Sequence, residues 1–174
     1  MTTGYISVGS NIDKENHIPS GLAALRLHFG ELRVSSIYET DAVGFTGPVF
    51  HNLIVEFSSA LSAKEVAKTL RQIELDHGRL RDAPKFSPRT LDLDLILYGD
   101  QVICDGRLRI PRDEIERYAF VLEPLAEIAA DERHPVSGQS YGRLWAQFDK
   151  TGLHQNIVVP DWLLNEQSSA TVNG

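Results

Sequence analysis

The chain has 174 residues, 42% of them apolar, a formal net charge of −7 and one cysteine, Cys104. That length favours one compact domain or one domain with a tail, and the apolar share excludes wholesale disorder. The acidic balance argues against a nucleic-acid binder, a lone cysteine excludes an internal disulfide or a cysteine zinc site, and no stretch approaches the roughly 20 apolar residues of a membrane helix.

Met1 to Asn11 has no basic lead and only a short apolar run, unlike a signal peptide, so a cytoplasmic protein is expected. Gly4 to Gly9 read as a first strand, ended by a turn at Gly9-Ser10-Asn11. Ile18, Leu22, Leu25 and Phe29 fall on one face of a helix. Pro19 suits its first turn and Gly30 its end. Residues 32–38 are expected to form a second strand, and 41–48, with Gly44, Gly47 and Pro48, a loop. Residues 49–57 make a third strand, rich in Val49, Leu53, Ile54, Val55 and Phe57.

Ser62 with Glu65 three places on is a capping box, and Val66, Leu70 and Ile73 follow at helical spacing towards a cap at Gly78. A basic, irregular segment occupies 79–89. Leu91 to Tyr98 form a fourth strand, stopped by Gly99 and Asp100. Residues 113–130 are expected to be helical in pieces, broken at Pro124. The segment from Thr151 contains the run Ile157 to Trp162, fitted to an edge strand or a partner, and then becomes irregular. The order β-α-β-β-α-β is that of a ferredoxin-like α+β core, with helices packed on a mainly antiparallel sheet and a C-terminal extension. The expected division is a domain over 1–150 and an extension over 151–174.

Asp92 and Asp94 are two places apart on a strand and so share a face, roughly 7 Å apart along the backbone. Leu91, Leu93 and Leu95 point the other way. Two carboxylates side by side repel unless a cation lies between them, and oxygen-only ligands favour magnesium. A lone D-x-D reads most simply as a solvated strand face, but Arg79, Arg81, Lys85 and Arg89 precede this one, stiffened by Pro84 and Pro88. Arginine forks match phosphate oxygens. Cations for phosphate beside carboxylates for magnesium equip a site for phosphoryl transfer. The chain carries neither G-x-x-x-x-G-K-[ST] nor G-x-G-x-x-G, so such a kinase is no P-loop protein. Gly138 to Gly142 match G-x-S-x-G, but His134-Pro135-Val136-Ser137 before it reads as a turn, against a hydrolase. His77 is expected at a helix end facing solvent rather than on a phosphate.

The runs Gly78-Arg79-Leu80-Arg81 and Ser87-Pro88-Arg89-Thr90-Leu91-Asp92-Leu93-Asp94-Leu95-Ile96-Leu97-Tyr98-Gly99 resemble the signature of the 6-hydroxymethyl-7,8-dihydropterin pyrophosphokinase family. Gly9-Ser10-Asn11, Ser35-Ser36, Tyr38, Thr40, Asn52, Glu74, Pro111, Phe120-Val121-Leu122, Pro124-Leu125 and Glu127-Ile128-Ala129 match in order, so the resemblance covers residues 4–130.

It implies transfer of pyrophosphate from ATP to the pterin hydroxymethyl group, as a step of folate biosynthesis. By position, Asp92 and Asp94 would hold two magnesium ions, and Arg79, Arg81 and Arg89 would be catalytic cations on the phosphates. Glu74 and Arg112 would join them in binding ATP. Thr40, Val43, Gly44, Phe50, Asn52 and Phe120 would bind the pterin. The implied partners are these two small molecules, with no nucleic acid and no membrane.

Arg112 stands where the family usually has histidine, Tyr118 where it has a phosphate-binding arginine, Asp41-Ala42 where a proline is common, and Phe86 where a tryptophan is common. Two alternatives share the motif: a pyrophosphokinase for a different pterin, and a pterin- or nucleotide-binding protein without turnover. The intact Arg-Thr-Leu-Asp-Leu-Asp run speaks against the second.

Overall fold

The computed structural model describes residues 1–42, 46–78 and 90–172, with side chains as far as 166. Its elements are β1 (Thr2–Ser10), α1 (Lys14–Phe29), β2 (Arg33–Val34), β3 (Ile37–Thr40), β4 (Phe50–Ser59), α2 (Ala63–Asp76) and β5 (Asp92–Tyr98). There follow β6 (Ile103–Asp105), β7 (Leu108–Ile110), α3 (Glu114–Arg117), α4 (Ala119–Ala129), α5 (Tyr141–Gln147), β8 (Gln155–Val158) and α6 (Asp161–Val172).

The main sheet runs β5-β1-β4-β3-β8, with β2 also on β4, and each of these pairings is antiparallel. Strand β1 therefore runs parallel to β3 with β4 between them, and β4 runs parallel to β5 with β1 between them. Helices crossing between such separated parallel strands cover one face of the sheet. On that face Val8, Leu53, Val55, Leu93 and Leu95 pack against Ile18, Leu22 and Leu25 of α1 and Val66, Leu70 and Ile73 of α2. On the other face Tyr5, Ile54, Ile96 and Leu97 pack against Val121, Leu122 and Leu125 of α4. Burying each such large side chain is worth about 1.5–3 kcal/mol, which fixes the strand registers.

Helix α2 is the element most fully determined by its own sequence. The Ser62 hydroxyl accepts the Glu65 N–H at 3.2 Å while the Glu65 carboxylate accepts the Ser62 N–H at 2.8 Å. These bonds satisfy donors that a helix start otherwise leaves open.

Four expectations are corrected. Helix α1 starts at Lys14, ahead of Pro19, because the Asp13 carbonyl accepts the N–H groups of Asn16 and His17, each at 3.0 Å. Pro19 lies inside that helix, where its ring nitrogen donates nothing. The second strand divides in two at Ser35, whose hydroxyl accepts the Ile54 N–H at 2.9 Å in place of a backbone carbonyl. The break in the segment 113–130 falls at Tyr118, whose backbone is extended (φ −121°, ψ 125°), and Pro124 lies within α4. The segment Asp161–Val172 is helical rather than irregular: the Leu163 N–H donates to the Pro160 carbonyl at 3.0 Å, and Trp162 and Leu163 pack on the core. The run from Ile157 also lies partly in β8, at the edge of the sheet beside β3.

Candidate active site

The alternation of β5 sets the carboxylates. Leu91, Leu93 and Leu95 are buried towards α1 and α2, so Asp92 and Asp94 emerge on the α4 face of the sheet, half-buried. In β4, Leu53 faces α1, so Phe50 and Asn52 share the α4 face with the aspartates. The register then lines up three residues. Gly9 lies opposite Asn52 on one side and opposite Asp92 on the other. With neighbouring strands about 4.8 Å apart, the Asn52 and Asp92 backbones are about 10 Å apart, separated by a residue with no side chain. A Cβ at Gly9 would lie 2.8 Å from Asn52 Oδ1, so the position is kept open by the need for close approach.

The buried Asn52 amide donates to the Thr40 hydroxyl at 2.8 Å, tying β4 to the last residue of β3. Phe50 lies beside Thr40 in the register. Phe120, in the first turn of α4, stacks on Tyr118 with ring centres 5.1 Å apart and planes 16° apart. Two more residues hold the base of the site. The Ser10 hydroxyl donates to the Thr90 carbonyl, and the Asn11 amide donates to the Pro48 carbonyl at 3.1 Å. The turn after β1 thus anchors the chain just before β5 and just before β4.

Two charged side chains, Glu74 and Arg112, lie close to the aspartates. Glu74, 5% exposed, accepts the backbone N–H of Leu93 at 3.0 Å, between the two aspartates. The Arg112 guanidinium forks onto Glu114 with bonds of 3.2 and 2.9 Å. Burial pulls its pKa down, but the Glu114 bonds and the nearby Asp94 charge overcome this and hold it above its ordinary value. Among the described residues no three His, Cys, Asp or Glu side chains converge on a metal-sized site. Paired aspartates are hard oxygen donors and fit magnesium, which keeps water and phosphate oxygens in the rest of its shell.

The family model described as 7,8-dihydro-6-hydroxymethylpterin-pyrophosphokinase matches residues 5–130, the stretch that carries both aspartates and the whole Asn52–Gly9–Asp92 row. The chain belongs to this pyrophosphokinase family.

Curated relatives agree. The chain is similar to the 2-amino-4-hydroxy-6-hydroxymethyldihydropteridine pyrophosphokinase of Bacillus subtilis, with 37% identity over 88% of this chain and 95% of that protein. It is likewise similar to the enzyme of that name from Synechocystis, with 40% identity over 85% of this chain and 77% of that one. Among solved structures it resembles an HPPK-DHPS chain in complex with substrates, with a TM-score of 0.69 and 12% identity. It also resembles the Plasmodium falciparum HPPK-DHPS with a TM-score of 0.63 and 13% identity. The chain spans 43% of each of those two chains, and at such low identity they speak for the fold alone.

Of the residues expected in a pyrophosphokinase site, Asp92, Asp94, Asn52, Thr40 and Phe50 are brought together on one face, with Phe120 on the helix that covers it. Glu74 approaches from the edge of β5. Val43, Gly44, Arg79, Arg81 and Arg89 lie outside the described residues, as do Lys85 and Phe86. Tyr118, at the family's arginine position, stacks on Phe120, and the exposed Arg117 bonds Asp113 at 3.1 Å with its guanidinium 5.5 Å from the Tyr118 ring centre. His77 is partly buried and ties the two helices, with Nδ1 2.8 Å from the Ile73 carbonyl and Nε2 2.9 Å from the Ser20 hydroxyl. Ser140 is the N-cap of α5, accepting the Arg143 N–H at 3.2 Å, which leaves G-x-S-x-G a capping turn.

Ser10, Asn11 and Glu127 have structural roles that their local sequence does not assign. The Gly-Ser-Asn triplet ending a first strand was the available signal for the first two. Glu127 accepts the Tyr38 hydroxyl at 2.7 Å, the Ser36 N–H at 2.8 Å and the Ser36 hydroxyl at 3.1 Å. It clamps α4 to the start of β3, a link that no local pattern announces.

Proposed function

We propose that this chain transfers pyrophosphate from ATP to the hydroxymethyl group of 6-hydroxymethyl-7,8-dihydropterin, releasing AMP and the pterin diphosphate. The observation that carries the reading is the Asn52–Gly9–Asp92 row. It sets an amide able to read a heterocycle edge and a pair of carboxylates on one face, about 10 Å apart. A pterin edge read by Asn52 and phosphates gathered at the aspartates would then lie on the same face of the sheet.

In this reading Asn52 offers donors and an acceptor to the pterin edge, and Phe50 and Phe120 flank the flat ring. Thr40, Val43 and Gly44 complete the pocket. Asp92 and Asp94 would hold magnesium, two ions, which would supply charge neutralisation on the phosphates and a lower pKa for the alcohol. Arg79, Arg81 and Arg89 bind the transferring phosphates, and Arg112, steered by Glu114 beside Asp94, adds a cation to the ATP side. Glu74 holds the strand that carries the aspartates. The in-line attack falls on the β-phosphorus, with AMP as leaving group, and catalysis is positioning with charge stabilisation.

We also read the core as ferredoxin-like, on the strand order β5-β1-β4-β3 with its two interleaved crossovers. Residues 1–150 are read as the catalytic domain, with 151–174 an extension paired to it through β8. Among the described residues no helix is long and apolar enough to cross a membrane, and a cytoplasmic location is proposed.

The test is nucleotide analysis after incubation with ATP and magnesium, with and without the pterin. Pterin-dependent AMP is expected. ADP as product, or AMP formed equally without pterin, would overturn the reading.

A further inference from the structure

We propose that Gln155 is a positioning residue of the pterin pocket, holding the start of α4, and with it Phe120, at a set distance from Thr40. The inference rests on the pocket assignment above and extends it to β8, which lies beyond the residues 5–130 matched by the family.

Gln155 is the register partner of Thr40 across the β3–β8 pair. Directly opposed residues of an antiparallel pair present their side chains to the same face, and Thr40 faces α4 through its bond to Asn52. The Gln155 side chain accordingly reaches α4. Its Nε2 donates to the Ala119 carbonyl at 3.2 Å and lies 3.4 Å from Glu123 Oε2. Ala119 immediately precedes Phe120.

The contacts run in a chain along one side of the proposed pocket. They pass from Asn52 to Thr40, across to Gln155, and from Gln155 to the backbone beside Phe120. The Glu127 clamp joins Ser36 and Tyr38, at the beginning of β3, to the far part of α4. Gln155 joins the other pair of ends, where the pocket lies. The pocket wall is therefore built partly by the extension, and its width depends on one amide donor facing two acceptors.

The test compares Gln155→Ala, Gln155→Lys and Phe120→Ala with the unaltered chain, by steady-state kinetics in both substrates, direct pterin titration and thermal melting. Gln155→Ala is expected to raise the pterin KM and Kd about three- to ten-fold, the worth of a hydrogen bond or so, with the ATP KM, kcat and melting temperature little changed. Gln155→Lys, which keeps an N–H donor towards both acceptors, is expected to restore pterin binding to within about two-fold. Unchanged pterin binding in Gln155→Ala, with weakened binding in Phe120→Ala, would overturn the role of Gln155 alone. Unchanged binding in both would locate the failure in the pocket assignment itself. A lower melting temperature with no selective effect on the pterin would make Gln155 merely structural and sink the proposal.

Discussion

The Glu74 carboxylate accepts the backbone N–H of Leu93 at 3.0 Å, so a side chain on α2 fixes the peptide between Asp92 and Asp94. Among the described residues strand β5 pairs with β1 on one side alone, and an N–H on its other side needs a partner once buried. Glu74 supplies it from a residue only 5% exposed. The aspartates thus point from a strand held on both sides.

Replacing Glu74 by Ala leaves that buried donor unsatisfied, at a cost of about 1–3 kcal/mol. The expected result is a lower denaturant midpoint together with a fall in kcat that Glu74→Gln, which keeps an acceptor, largely reverses. A Glu74→Ala enzyme with unaltered stability and turnover would show that the Leu93 bond does not position the site.

Gly9→Ala should injure the pocket selectively. The added Cβ would lie 2.8 Å from Asn52 Oδ1, and overpacking of a fitted site costs about 1–3 kcal/mol. Since Asn52 is tied to Thr40 at 2.8 Å, the amide cannot move without loosening that bond. Pterin KM is expected to rise about ten-fold or more, one decade per 1.4 kcal/mol. Kinetics in both substrates check this, and an effect confined to ATP would contradict it.

Alkaline stability follows from three buried tyrosines. Burial first, then the bonded carboxylate, pushes the Tyr38 pKa up through Glu127 and that of Tyr5 through Glu56. Burial does the same to Tyr141, aided by Glu132 and Glu116. The ordinary tyrosine value is about 10, so below it both folded and unfolded chains keep these protons. Above it the unfolded chain loses them while the folded chain holds them, and stability falls as pH rises. Denaturant unfolding across alkaline pH should show this loss begin near pH 10, and Tyr38→Phe should make the slope shallower. A slope unaffected by that substitution would contradict the assignment.

Much of this was legible because it is local. Ser62 and Glu65 announce the start of α2, and the Leu91–Asp92–Leu93–Asp94–Leu95 alternation sends carboxylates one way and leucines the other. What was not legible depends on partners far along the chain. Ser35 divides a strand because its hydroxyl meets the Ile54 N–H, nineteen residues on. Tyr118 breaks the helical segment while Pro124 is tolerated, since an extended backbone with a stacked ring there starts α4 afresh. Glu74 appears in sequence as one acid on an amphipathic helix; only the approach of α2 to β5 gives it Leu93. The place of Gln155 beside Thr40 likewise requires the pairing of β8 with β3.

The central claim is that the paired carboxylates of β5 work on phosphates while the chain's pocket holds a pterin alcohol. Pterin-dependent AMP formation by Asp94→Ala, beside the unaltered chain and with circular dichroism to verify folding, tests it most directly. Asp94 is half-buried and faces away from the leucine core, so the variant should fold normally and lose AMP formation by about a hundred-fold or more, the scale on which a site loses its charge stabilisation. Near-normal AMP formation by the folded variant would contradict the claim.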